Sequence, residues 1–94
     1  MRWHPDAILD ALAARDWYAE RNPAAATAFL LALDDAVLAV TKAPERWPLK
    51  PQGYREYVFP KPYPFKLVYV LRPTLQVVAV AHMSRRYGYW TGRS

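Results

Sequence analysis

The sequence predicts an α+β fold, an N-terminal antiparallel helical hairpin packed on a small, mainly antiparallel β-sheet. Three observations carry the prediction. Apolar residues recur at helical spacing from Ile8 to Val40, with one break at "ERNP". After Pro48 the pattern changes to short runs rich in valine and aromatic residues, "FKLVYVL" and "QVVAVAH". Prolines punctuate the joints, at Pro5, Pro23, Pro44 and Pro73.

Pro5 suits a first helical position, where its missing N–H leaves no bond unmade, and Asp6 complements the positive end of the helix. Ile8, Leu9, Leu12 and Ala13 then form an apolar stripe that continues to Trp17. The helix ends at "ERNP". Asn22 caps a second helix, with Pro23 again at the first helical position. Its stripe is Phe29, Leu30, Leu33, Val37 and Val40, and "KAPERWP" stops it at Pro44. So short a connection sets the two helices nearly antiparallel.

The sheet follows. Tyr54 to Phe59 reads as a strand with mixed faces, and "PKPYP" interrupts it, because three prolines cannot all donate to a ladder. Strands Phe65–Leu71 and Gln76–His82 come next, joined by "RPT", where Pro73 pre-sets the turn. Alternation places Val68 and Val70 opposite Phe65, Leu67 and Tyr69, and Val78 and Val80 opposite Ala79 and Ala81. Both strands are thus apolar on both faces and need cover on both. One hairpin covers one face. Loops, the C-terminal segment or a partner must shield the other.

Composition bounds the function. The 94 residues suit a single domain, and such a chain buries about 60–65% of the surface it exposes when unfolded. Cysteine is absent, which removes disulfide and thiolate chemistry and fits a reducing cytoplasm. No unbroken apolar run has the length of a membrane span, and no signal-peptide pattern opens the chain, so a soluble, cytoplasmic protein with no membrane partner is expected. Charge is lopsided: residues 1–49 hold five basic against seven acidic side chains, whereas residues 50–94 hold eight basic against Glu56 alone. A half of +7 points to an anionic partner, nucleic acid or an acidic protein segment.

Much chemistry is excluded. Two histidines, His4 and His82, with no cysteine beside them, make no zinc site and read as a cap and a strand-end residue. Three glycines form no phosphate-cradling loop. Ser84 and Ser94 lack a nucleophile elbow. Seven of the eight acids lie in the helical half without evident pairing and read as its solvated face. Cationic and aromatic residues remain: Lys50, Arg55, Lys61, Lys66, Arg85, Arg86, Tyr87, Tyr89 and Trp90. A metal-free ribonuclease would need from them a base, cations for the charge growing on phosphorus, and an acid. Arginine stays protonated, and a lysine base requires strong desolvation. Tyr57, Tyr63, Tyr69 and Trp90 read equally as packing residues. Arg85 and Arg86, just past a strand end, suit a partner's phosphate or carboxylate.

Several stretches recur in one known order: "HPDAILDALAARDWYAERNP" and "F…L…V…V…PERWP" in the hairpin, Arg55 opening the first clear strand, "YPFKLVYV", and "AVAHMSRRYGYW". From Trp3 to Trp90 the chain resembles the RelE/ParE superfamily of toxins from type II toxin–antitoxin modules, whose members include plasmid-stabilisation systems. That family opens with a strand of several residues, whereas only Met1, Arg2 and Trp3 precede His4 here. The resemblance therefore implies a first strand that is short or clipped, and a neighbouring strand edge left open to a partner.

The RelE-like branch resembles ribosome-dependent mRNA endoribonucleases that need no metal. Carried over, that set would be Lys61, Lys66, Arg85 and Tyr87, but the strand expected to hold paired lysines reads "YREYVF" and supplies no base. The ParE-like branch looks like inhibitors that bind DNA gyrase without chemistry of their own, and it shares the "WYAERNP" style of turn. The missing base favours this branch. On it Arg55, Arg85, Arg86, Tyr87 and Trp90 are expected to meet the target. Both branches imply a cognate antitoxin, no cofactor and no metal. An antitoxin segment that folds on binding is expected against the hairpin residues Leu9, Leu12, Trp17, Phe29, Leu33 and Val37, and along the sheet edge. A nucleic-acid-binding module and an inactive relative of these toxins are the alternatives.

Overall fold

The computed structural model describes residues 1–93. The elements run β1 (Arg2–Trp3), α1 (Pro5–Arg21), α2 (Pro23–Lys42), β2 (Arg55–Val58), β3 (Phe65–Leu71) and β4 (Leu75–His82), with one turn of 3₁₀ helix at Pro51–Gly53. The strands form one sheet in the order β1-β4-β3-β2. β2 and β3, and β3 and β4, pair antiparallel, while the two-residue β1 runs parallel to β4 through Arg2 opposite Gln76 and Trp3 opposite Val77. This is the predicted α+β architecture, with the short first strand.

The helix ends fall where the side chains dictate. His4 Nδ1 accepts the Asp6 amide at 3.1 Å and Asn22 Oδ1 the Ala24 amide at 2.9 Å, each satisfying a donor the first turn leaves open. Asn22 also ends α1, its own amide donating to the Tyr18 carbonyl at 2.9 Å. At the 3₁₀ turn Gly53 takes φ 85°, a conformation open to glycine, and the Lys50 amide donates to the Tyr54 carbonyl at 2.7 Å to start β2.

The hairpin covers one sheet face. Its contribution is Ala7, Ala11 and Ala14 from α1 and Phe29, Leu33, Ala36 and Val40 from α2, packed on Phe65, Leu67, Tyr69, Leu75, Val77 and Val80. The bulky α1 stripe of the sequence reading faces outward instead: Ile8, Leu9, Leu12 and Trp17 are all exposed. Alanines on the inner side let α1 approach the sheet closely, and Phe29 fills the space behind them, 5.3 Å from the Phe65 ring and 5.4 Å from Tyr18. By length and composition α2 could cross a membrane, but its inner face is built into this core.

The second face is closed by the chain itself. Val68, Val70, Val78, Ala79 and Ala81 lie beneath Tyr54, Tyr89 and Trp90, with Trp90 only 2% exposed. The C-terminal segment is thus the cover that two-faced strands required. A register irregularity beside Val68 and Tyr69 pairs Val68 with Ala79 but Tyr69 with Val77, leaving Val78 as the extra residue. The predicted alternation is corrected there: Val78 shares a face with Ala79 and Ala81, and Val80 joins the hairpin side.

Candidate functional site

Two surfaces carry functional groups, the tail side and the outer hairpin. On the tail side, β2 and β3 set Glu56 and Lys66 on one face, and the loop after β4 returns Tyr87 over them. Lys66 Nζ lies 3.2 Å from Glu56 Oε1, and the Tyr87 hydroxyl donates to Glu56 Oε2 at 2.7 Å. The ammonium also stands 4.4 Å from the Tyr87 ring centroid and 4.9 Å from that of Trp90. The Glu56 hydrogen bond, then burial, raises the Tyr87 phenol above its ordinary value. Both members of this pair had separate expectations in sequence: Lys66 as a cation toward phosphate, Glu56 as the lone acid of its half. Antiparallel register, invisible in a single segment, brings them together.

Nearby, Asp10 of α1 forms a second polar centre. Its Oδ2 accepts Arg93 Nη1 at 2.8 Å, the Tyr89 hydroxyl at 3.0 Å and the Val80 amide at 3.2 Å. Arg93 Nη1 donates in addition to the Val78 carbonyl at 3.0 Å. These contacts sit along β4 just past the point where β1 gives way to α1, so two side chains satisfy backbone groups that the strand pairing leaves open. Asp10 therefore departs from the expected solvated acidic face. Burial, with Asp10 beside it, pushes the Tyr89 phenol up to about 12. The Arg85 guanidinium lies 3.9 Å over the Tyr89 ring.

The predicted target residues divide accordingly. Arg85, Arg86 and Tyr87 are exposed in the loop after β4, Tyr87 at 62%. Trp90 is buried in the second core, so it shapes this surface from beneath and is corrected to a packing residue. Arg55 is half-buried and engaged by the backbone. Its Nη1 donates to the Trp47 carbonyl at 2.6 Å and the Glu45 carbonyl at 3.2 Å, fixing the segment after α2. Lys61 is exposed in the Pro60–Pro64 loop and takes no part in the Glu56 hydrogen bonds. Of the four ribonuclease candidates, Lys66 and Tyr87 meet at Glu56. Among the described residues, no three histidine, aspartate or glutamate side chains converge as metal ligands. His4 serves as the cap noted above, and His82 Nδ1 accepts the Ser84 amide at 3.0 Å at the strand end.

The outer hairpin is apolar. One groove, a cavity of about 370 Å³, is lined by Trp3, Ile8, Ala11, Leu12, Leu30 and Leu33. A second, of about 380 Å³, runs between α1 and the β3–β4 end, with Leu9, Trp17, Phe65, His82, Arg85 and Tyr89 among its walls. Of the residues expected to meet an antitoxin, Leu9, Leu12 and Trp17 are exposed, and Val37 is half-buried. Leu33 is buried at a groove floor. Phe29 is fully buried against the sheet and is corrected to a core residue. Ile8 and Leu30, in the apolar stripes but outside the expected contact set, line the first groove.

No curated protein and no solved structure matches the chain. One family model does, that of the ParE toxin of type II toxin–antitoxin system, parDE, across residues 1–87. With nearly the whole chain matched and two helices packed on a four-stranded sheet behind a short first strand, the protein belongs to the ParE toxin family of type II toxin–antitoxin systems, within the RelE/ParE superfamily.

Proposed function

We propose that this chain inhibits bacterial growth by binding DNA gyrase in the cytoplasm, without chemistry of its own, and that a cognate antitoxin neutralises it. The observation that carries the reading is the engagement of the catalytic candidates. Lys66 is paired with Glu56, and the Tyr87 hydroxyl donates to the same carboxylate, so both are engaged by the chain itself. Arg85 and Arg86 remain as exposed cations at the end of the sheet, suited to holding an acidic surface. The apolar outer hairpin suits an amphipathic antitoxin segment, which would gain affinity chiefly from Leu9, Leu12 and Trp17.

The test is pulse labelling of a bacterial host after induction without antitoxin. Thymidine incorporation is expected to fall before methionine incorporation, and Arg85→Ala with Arg86→Ala is expected to relieve the arrest. Methionine incorporation falling first would replace this reading with ribosome-dependent mRNA cleavage.

A further inference from the structure

The surroundings of Lys66 amount to more than an ion pair. Its ammonium is enclosed by the rings of Tyr87 and Trp90, and the Lys66 and Glu56 side chains are only 12% and 9% exposed. An ammonium so far withdrawn from water requires a partner of opposite charge. Here the chain supplies that anion. One Glu56 oxygen meets Lys66, and the other accepts the Tyr87 hydroxyl.

We propose that Lys66, Tyr87 and Trp90 form an oxyanion site with Glu56 as its resident ligand, and that the Glu56 charge keeps nucleic-acid phosphates off the tail face. Glu56 is then a specificity-determining residue of this surface. The charge distribution supports the role: Glu56 is the single acid among the eight basic residues of positions 50–94, and it sits on the lysine beneath the most exposed ring of the tail. A half carrying +7 attracts polyanions by counterion release whatever their sequence. Arg85 and Arg86 adjoin Tyr87 in the chain, and an exposed phenol ring is a platform for an unstacked base. A phosphate reaching Lys66 would have to displace a carboxylate already bonded there, against like-charge repulsion. With that charge removed, Lys66 becomes a nearly buried, unpaired cation that draws an anion from solution.

The experiment measures binding of a fluorescently labelled single-stranded RNA of about twelve nucleotides at about 50 mM salt. Glu56→Gln preserves shape and removes charge, and it is expected to bind at least about tenfold more tightly than the parent, with the gain fading as salt rises. Adding Lys66→Ala to Glu56→Gln is expected to abolish the gain. Glu45→Gln makes the same change in net charge at an exposed position and serves as the reference. A Glu56→Gln gain no larger than that of Glu45→Gln, or one that survives Lys66→Ala, overturns the proposal. These outcomes do not depend on whether gyrase or the ribosome is the target.

Discussion

The Asp10 carboxylate gathers a main-chain amide, a phenol and a guanidinium that lie 70, 79 and 83 residues away in the chain. No local pattern announces such a partner set. Helical spacing marks Asp10 only as a polar position among apolar ones, which is why it reads in sequence as a solvated acid. Its effect on Tyr89 is measurable. The Tyr89 phenol is held at about 12, by burial first and by Asp10 next, against an ordinary value of 10.0. Above about pH 10 the unfolded chain releases a proton that the folded chain keeps, so stability is fully present below pH 10 and declines as the pH rises through about 12. Tyr89→Phe is expected to lessen that decline in urea titrations across this window. An unchanged slope would show that Tyr89 does not govern it.

Helix boundaries were legible because capping is local chemistry. His4, Pro5, Asn22 and Pro23 are sufficient to start both helices. Which way α1 faces was less legible, since its leucines and its alanines both recur at helical spacing and periodicity alone cannot choose the inner side. The sheet chose the alanines of α1 and left its leucines outside. That division gives opposite expectations for two sets of variants. Leu9→Gln with Leu12→Gln should change the unfolding free energy by no more than about 1 kcal/mol, yet weaken antitoxin capture by at least about tenfold. Phe29→Ala should cost about 3–5 kcal/mol, because it leaves a cavity under the hairpin. Thermal melts and a co-purification assay separate the two effects. Loss of stability in the leucine pair would place those residues in the core after all.

At the scale of the molecule, the strand composition foretold that both sheet faces needed cover, and the tail meets that need with one indole. Trp90→Ala should expose Val68, Val70 and Val78, lower stability by about 3–5 kcal/mol, and raise binding of a hydrophobic dye before global unfolding. A fully cooperative melt with no rise in dye signal would argue against the tail as a separable cover. The exposed part of the candidate surface, Arg85, Arg86 and Tyr87, was legible from composition and position. Its interior was not, because Glu56, Lys66 and Trp90 meet only through strand register and a returning tail.

The order of the sheet has a consequence for synthesis. β4, the last strand made, is also the one that joins β1 to β3, and Tyr89, Trp90 and Arg93, which help to seal its second face and open edge, follow it in the chain. A nascent chain that stops short of Leu75 therefore holds a helical hairpin and the β2–β3 ladder with no strand to unite them with β1. The surface bearing Arg85, Arg86 and Tyr87 is therefore the last part of the molecule to be completed. On the reading proposed above, an antitoxin that grips the hairpin would meet it before the sheet is complete.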